Sequence, residues 1–260
     1  MTIIQCILIS VFIYLGSIGS IVGNTLGWYT LGRPLVASFV VGLIMNDVNT
    51  ALIVGIPLQI MYLGNVTPGG AVAWDLSYAT YIGTAGALVF GKGLDTTGVI
   101  GVAVVFAGIG GLVGQLMWNV SYAANLPLNR VAHNYAEKGE TKKMHIPNLV
   151  LGQLIGFACR FIPAMIVLTS MNAASGQGDF ATLIPGWVIT TLSIFGGMMS
   201  ALGMGIILSF LIKKQYQFAI FLVGFILVTY FQLNTMAVAV IGIITAILYY
   251  VIITSQKEAA

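Results

Sequence analysis

Five side chains in PLQIMYLGNVTPGGAVAWDLSYAT (57–80) have the chemistry of a polar ligand site: Gln59, Tyr62, Asn65, Trp74 and Asp75. If 52–63 is helical, Gln59 and Tyr62 stand three apart on one face. Gly64-Asn65 and Thr67-Pro68-Gly69-Gly70 then break the helix and free several backbone amides and carbonyls. One bent segment thus gathers an amide, a phenol, an indole and a carboxylate. Such sets suit sugars: planar amides and carboxylates satisfy pairs of hydroxyls, and an aromatic face packs the C–H side of a pyranose. Each residue also has a plainer role. Asp75 can cap the helix it precedes, Trp74 can anchor at a membrane interface, and Gln59 can satisfy a broken backbone. The combination favours a polar solute.

These residues sit in an apolar chain. Of its 260 residues, 58% are hydrophobic and only 7% charged, and mean hydropathy is +1.00. Soluble domains carry roughly 25% charged residues, so lipid must be the solvent for much of this surface. A carboxylate at membrane depth is costly, and functional by default. The net charge of +3 rests on ten basic residues, several of them clustered, which excludes nucleic acid as a partner. Cys6 and Cys159 lie in separate apolar runs and read as small apolar filler, with no disulfide or metal spacing. No basic residue precedes the first apolar run, which argues against a cleaved leader.

Apolar segments fall at about 1–22, 34–63, 76–90, 99–125, 146–171, 181–212, 216–230 and 235–253. Three regions follow: 1–98 with the polar motif, 99–215 with full spans and a basic loop at 126–145, and 216–260 with a hairpin and tail. Arg130, Lys138, Lys142 and Lys143 place that loop in the cytoplasm by the positive-inside rule, as Lys213 and Lys214 place 213–215. Loop 172–180 then lies on the far side. Segment 34–63 is interrupted by Asn46–Thr50 and by Pro57, and 76–90 is short. Pieces too short to span, broken by Gly or Pro, predict re-entrant or broken helices. Two such hairpins would leave the N-terminus on the far side. The predicted fold is an all-α integral membrane protein, a polytopic bundle with re-entrant hairpins. Residues 39–56 also resemble 221–243, which would make Asn49-Thr50 and Asn234-Thr235 equivalent hairpin tips and points to a transport site.

Other polar residues are read against this frame. Asn24, between Gly23 and Thr25, lies at a candidate helix break. Arg33 and Asp47 either pair or serve as an anchor and a cap. Arg160, inside an apolar segment, is read as structural: it must snorkel, pair or bond freed carbonyls. Gln115 and Asn119 share a helix face suited to interhelical hydrogen bonds. Gly19, Gly23 and Gly27, like Gly110/Gly114 and Gly152/Gly156, are spaced for close helix packing. His133 and His145 read as solvated, and no hydrolytic or metal-binding spacing occurs. No cofactor is expected.

The chain resembles the C subunits of the mannose/fructose/sorbose family of the bacterial phosphoenolpyruvate-dependent sugar phosphotransferase system. GRPLVAS…VGLIMNDVNTALIVG (32–55), LQIMYLGNVTPGGAVAWD (58–75), GQL (114–116), NRVAHNYAEKG and FQLNTMAVAVIG (231–242) carry the resemblance. It implies a permease subunit of the bacterial inner membrane that is not itself a catalyst. Its partners would be a D subunit, in a trimer of heterodimers, and cytoplasmic A and B components that pass phosphate to the sugar. It implies a static scaffold with a mobile, elevator-like core. The sugar pocket would comprise Gln59, Asn65, Trp74 and Asp75, helped by Asn24 and Asn234.

The sequence departs from mannose-type members where Gln59 replaces a common Glu. A neutral amide donates as well as accepts, which suits an N-acetyl or amino hexose such as N-acetylgalactosamine. The competing readings are an ion-coupled secondary sugar transporter, with Asp75 or Asp47 as the ion ligand, and a passive scaffold or receptor.

Overall fold

Lipid offers peptide groups no hydrogen bonds, so a chain that stops half-way across a membrane must cover every break with protein. The computed structural model describes residues 1–63, 74–175, 186–214 and 217–258. They divide into two units, Met1–Ile206 and Ile207–Ala260. Asn65 and the Pro68-Gly69-Gly70 turn lie outside the described residues.

The first unit opens with α1 (Ile3–Leu15), started by a capping box in which Thr2 and Gln5 satisfy each other's amides. A short α2 (Gly23–Leu26) runs into a π-helical turn (Gly27–Leu31), and the chain then bends by 79° into α3 (Pro34–Met45). Asn46, left-handed at φ 59°, ends α3, and Asp47 caps α4 (Val48–Met61) by accepting from the Thr50 amide at 3.1 Å. Then come α5 (Leu76–Phe90), α6 (Thr96–Glu137), α7 (Thr141–His145), a π-helical turn (Ile146–Leu151) and α8 (Gly152–Ser175). Most of α9 (Gly186–Leu211) also belongs to this unit.

Helix α5 is the core. Every residue in it but Val89 is buried, and α1, α3, α4, α6 and α8 all pack on it. A helix surrounded on all sides needs small residues, and LSYATYIGTAGALVF supplies them. Glycines set the close approach of α6: a Cβ at Gly110 would lie 2.7 Å from the Tyr78 carbonyl, and one at Gly114 2.5 Å from Asp75 Cβ. The predicted Gly110/Gly114 packing is therefore formed. The other two glycine sets differ. Gly19 precedes α2 and Gly23 opens it, at φ of +74° and +76°, so the three do not line one continuous helix face, although a Cβ at Gly27 would lie 2.7 Å from the Leu15 carbonyl. At Gly152 and Gly156 nothing presses on the backbone.

Hydrogen bonds between elements fix the depth of each. The Met1 amino group donates to Asn172 Oδ1 at 2.7 Å and the Tyr14 hydroxyl to Gln153 Oε1 at 2.6 Å, so α1 runs antiparallel to α8. The Met1 end of α1 therefore lies beside the Ser175 end of α8, away from Gly152 and the basic segment that precedes it. Gln5 Nε2 reaches the Ile44 carbonyl at 2.9 Å, so the Asn46-Asp47 tip lies at the same end as Met1. At the other end, Ser77 Oγ donates to the Gly16 carbonyl and the Tyr81 hydroxyl to the Leu31 carbonyl. Helices α3, α4 and α5 are thus half-length elements.

Two boundaries differ from the sequence reading. Helix α4 continues through Pro57, and α6 continues through Pro127 into the segment expected as a loop. A proline forfeits only its own amide bond and crowds one carbonyl, which surrounding packing tolerates. The second unit holds α10 (Gln217–Thr229) and α11 (Thr235–Glu258). Its turn also contains a left-handed residue, Gln232 at φ 55°, and Asn234 Oδ1 accepts from the Met236 amide at 3.0 Å.

The glycine seam is testable. Gly110→Leu should destabilise the purified protein by about 1–3 kcal/mol through overpacking, seen as a lower melting temperature. Gly108→Leu, with nothing within 4 Å of its Cβ position, should leave it unchanged.

Candidate functional site

Three half-helix ends supply the site: the N-terminus of α3, the C-terminus of α4 and the N-terminus of α5. The first turn of α3 offers amides that no helical carbonyl can reach. Arg33 gives no side-chain cap there, and Pro34 has no amide to satisfy. The Leu35 amide donates instead to Gln59 Oε1 of α4, at 3.3 Å. That bond fixes which end of the Gln59 amide is oxygen. The Gln59 Nε2 group keeps its two N–H donors without a partner among the described residues.

Tyr62 is the C-cap of α4, and only 4% of its surface is exposed. Among the described residues its hydroxyl is buried without a hydrogen-bond partner, as are Thr80 Oγ1 and Gln115 Oε1. Ser38 and Thr84 join α3 to α5 through a hydroxyl pair at 2.8 Å. From the far side of α4, Gly203 of α9 closes on the Ile60 and Met61 carbonyls, where any Cβ would collide.

Asp75 sits at the head of α5, 2% exposed. Its Oδ1 accepts from the Tyr78 amide at 3.1 Å, which makes it the N-cap. Its Oδ2 accepts from Arg160 Nη1 of α8 at 2.6 Å. Arg160 is itself buried. The guanidinium lies 5.3 Å from the Trp118 ring and 6.0 Å from that of Tyr78, and the Tyr78 hydroxyl donates to the Arg160 carbonyl. At 1.5 Å per residue, Arg160 stands about 12 Å inside α8 from Gly152 and about 22 Å from Ser175, deep within the span. The sequence placed both charges in apolar surroundings but did not join them. The plain roles proposed for Asp75 as a cap and Arg160 as a structural partner are both filled.

The remaining residues are dispersed. Trp74 is partly exposed and its ring lies over Gly111 of α6. Asn24 Oδ1 accepts from the Gly19 amide at 3.1 Å. Asn234 belongs to the second unit. Arg33 and Asp47 lie at opposite ends of α3, about 18 Å apart along its axis; Arg33 faces the Tyr29 ring at 5.7 Å. The Gln115 oxygen makes none of the expected interhelical bonds. His133 is exposed beside Glu137 at 3.2 Å.

Behind the ion pair, α1, α6 and α8 enclose a cleft of about 270 Å³, with Arg160, Trp118, Tyr122, Asn125, Gln153 and Tyr14 in its wall. No sequence signal marked it, because its residues come from three separate segments.

Comparison with known proteins matches residues 3–248 to the family model described as the PTS system sorbose-specific IIC component. The mannose-specific EIIC component of the phosphotransferase system (PTS) in Escherichia coli (strain K12) is 28% identical over 248 residues, covering 95% of this chain and 88% of the relative. N-acetylgalactosamine permease IIC component 1 of the same organism is 24% identical, over 88% of this chain and 82% of the relative. Among solved structures, a chain of the mannose transporter ManYZ in complex with microcin E492 superposes with a TM-score of 0.53 at 26% identity, covering 96% of each chain.

Breaking a buried ion pair costs about 3–5 kcal/mol, whereas removing both charges is near neutral. Arg160→Met should therefore lower the melting temperature of the purified protein sharply. The double variant Arg160→Met with Asp75→Asn, which keeps a cap residue, should recover most of the loss.

Proposed function

The chain belongs to the sorbose-specific IIC family of the phosphotransferase system, and from that premise we propose that it carries an N-acetylhexosamine across the inner membrane. The observation that supports this ligand is the orientation of Gln59. Its oxygen accepts from the Leu35 amide, which leaves both Nε2 N–H donors and one oxygen lone pair to offer a ligand. A pair of N–H donors suits the carbonyl of an N-acetyl group, and N-acetylgalactosamine is the favoured sugar. The relative named for that sugar, though more distant than the mannose-specific one, agrees with this choice.

In this reading Gln59, Tyr62 and Trp74 hold the sugar at the half-helix ends together with Asn65, and Asn24 contributes from its own turn. Asp75 acts mainly by fixing α5 and Arg160. A D subunit completes the permease in a trimer of heterodimers. Cytoplasmic A and B components phosphorylate the arriving sugar, which makes uptake irreversible, while an elevator-like core moves against a scaffold. An ion-coupled carrier working alone is the alternative. It would need an ion gradient and neither phosphoenolpyruvate nor the partner chains.

Gln59→Glu keeps the acceptor for the Leu35 amide and replaces the free donors by an acceptor. In cells expressing the whole transporter, wild type should take up N-acetylgalactosamine in preference to mannose. Gln59→Glu should shift that preference toward mannose by about tenfold, the equivalent of roughly 1.4 kcal/mol. A wild-type preference for mannose would overturn the assignment of the sugar.

A further inference from the structure

We infer that the cleft between α1, α6 and α8 is a second binding station for the same neutral, hydroxyl-bearing ligand, placed on the cytoplasmic side of the Asp75–Arg160 pair. The inference rests on the reading of the chain as a sugar permease.

Position comes first. The cleft reaches from Arg160, deep in α8, to Gly152 at its start and to Asn125 of α6, which adjoins the basic cytoplasmic segment. Helix α5 runs the other way, from Asp75 toward the far side. The ion pair is therefore a shared wall: Asp75 heads the half-helix that packs on α3 and α4, while Arg160 faces the cleft. A solute that leaves the half-helix ends for the cytoplasm meets this cleft.

The lining states the chemistry. Trp118 and Tyr122 meet edge to face with ring centres 5.0 Å apart, an aromatic corner for C–H surfaces. Gln153 is held rigid, accepting from the Tyr14 hydroxyl and donating to the Gly19 carbonyl at 2.9 Å. Asn125 gives its Nδ2 to the Ser121 carbonyl and turns its oxygen toward Gly152. Arg160 has five N–H donors, of which only those on Nη1 find a side-chain acceptor among the described residues. Asp75 neutralises that guanidinium, so the wall presents donors without net charge, which favours a polyol over an anion. About 270 Å³ is close to the lower bound of roughly 300 Å³ for small-molecule sites.

Gly156 gives the cavity its room. Nothing lies within 4 Å of the position its Cβ would take, so a side chain there fills the cleft without disturbing the half-helix ends. The test uses the purified complex with its D subunit and measures equilibrium binding of labelled N-acetylgalactosamine and mannose, beside coupled uptake in cells. Gly156→Leu and Asn125→Leu are compared with wild type, each checked for complex assembly. The expected result is loss of one of two bound sugars per chain, with uptake slowed by about tenfold or more, equivalent to roughly 1.4 kcal/mol on the barrier. Unchanged stoichiometry and uptake in both variants would overturn the second station, as would displacement of the cleft-bound sugar by inorganic phosphate. If wild type binds neither sugar, the assignment of the sugar fails, and the second station for that sugar with it; a single site abolished by Gln59→Leu but untouched by Gly156→Leu leaves the sugar assignment standing and refutes the cleft.

Discussion

The buried bond between Asp75 and Arg160 is the constraint on which the first unit is arranged. A helix that begins inside a membrane exposes amides with no water to satisfy them. Asp75 answers by capping α5, but a carboxylate brought to that depth needs a counter-charge. Arg160 supplies it from α8, and the Tyr78 hydroxyl, one turn into α5, ties down the Arg160 carbonyl in return. Each group solves the problem created by another. Glycine at position 114 completes the arrangement, because any side chain there would displace Asp75 and Tyr78.

The same logic explains why α3 and α4 come as a hairpin. Two half-length helices joined at the Asn46-Asp47 tip bring one N-terminus and one C-terminus back to the same depth. There Gln59 covers the amide of Leu35, and Gly203 lets α9 close on the Ile60 and Met61 carbonyls. The polar side chains at these ends are thus held by backbone demands before any solute is bound. What remains for a ligand is what those demands leave over, notably the Gln59 Nε2 donors.

Local signals in the sequence were sufficient for the hairpin: Asn46-Asp47 in an apolar run has the turn and cap chemistry that the structure uses. The short 76–90 segment was legible for the same reason, since length is a local property. Pairing across 85 positions was not legible, because a lone Asp and a lone Arg in apolar surroundings each admit several partners. The cleft was invisible for a related reason, being an absence of atoms between segments far apart in sequence. Glycine spacing marked close packing within the chain at Gly110 and Gly114, and Gly27 is also tightly approached, while Gly156 faces no close neighbour among the described residues. GxxxG marks close packing only where the backbone is helical and a neighbour lies opposite, which holds at Gly110 and Gly114 but not at Gly19 or Gly156.

These dependencies limit how the unit can move if it alternates access to the two sides. Helix α5 is covered by five neighbours, and separating α8 from it would strand two opposite charges in a medium of low dielectric, at a cost of about 3–5 kcal/mol. Pulling α6 away would open the glycine seam along the same helix. A motion that leaves the pair intact must therefore carry α1, α3, α4, α5, α6 and α8 together, with the half-helix ends and the cleft as fixed features of one body. Both polar regions would change their exposure by displacement of that body and not by rearrangement within it. The price of building such ends from broken helices is thus rigidity around the break.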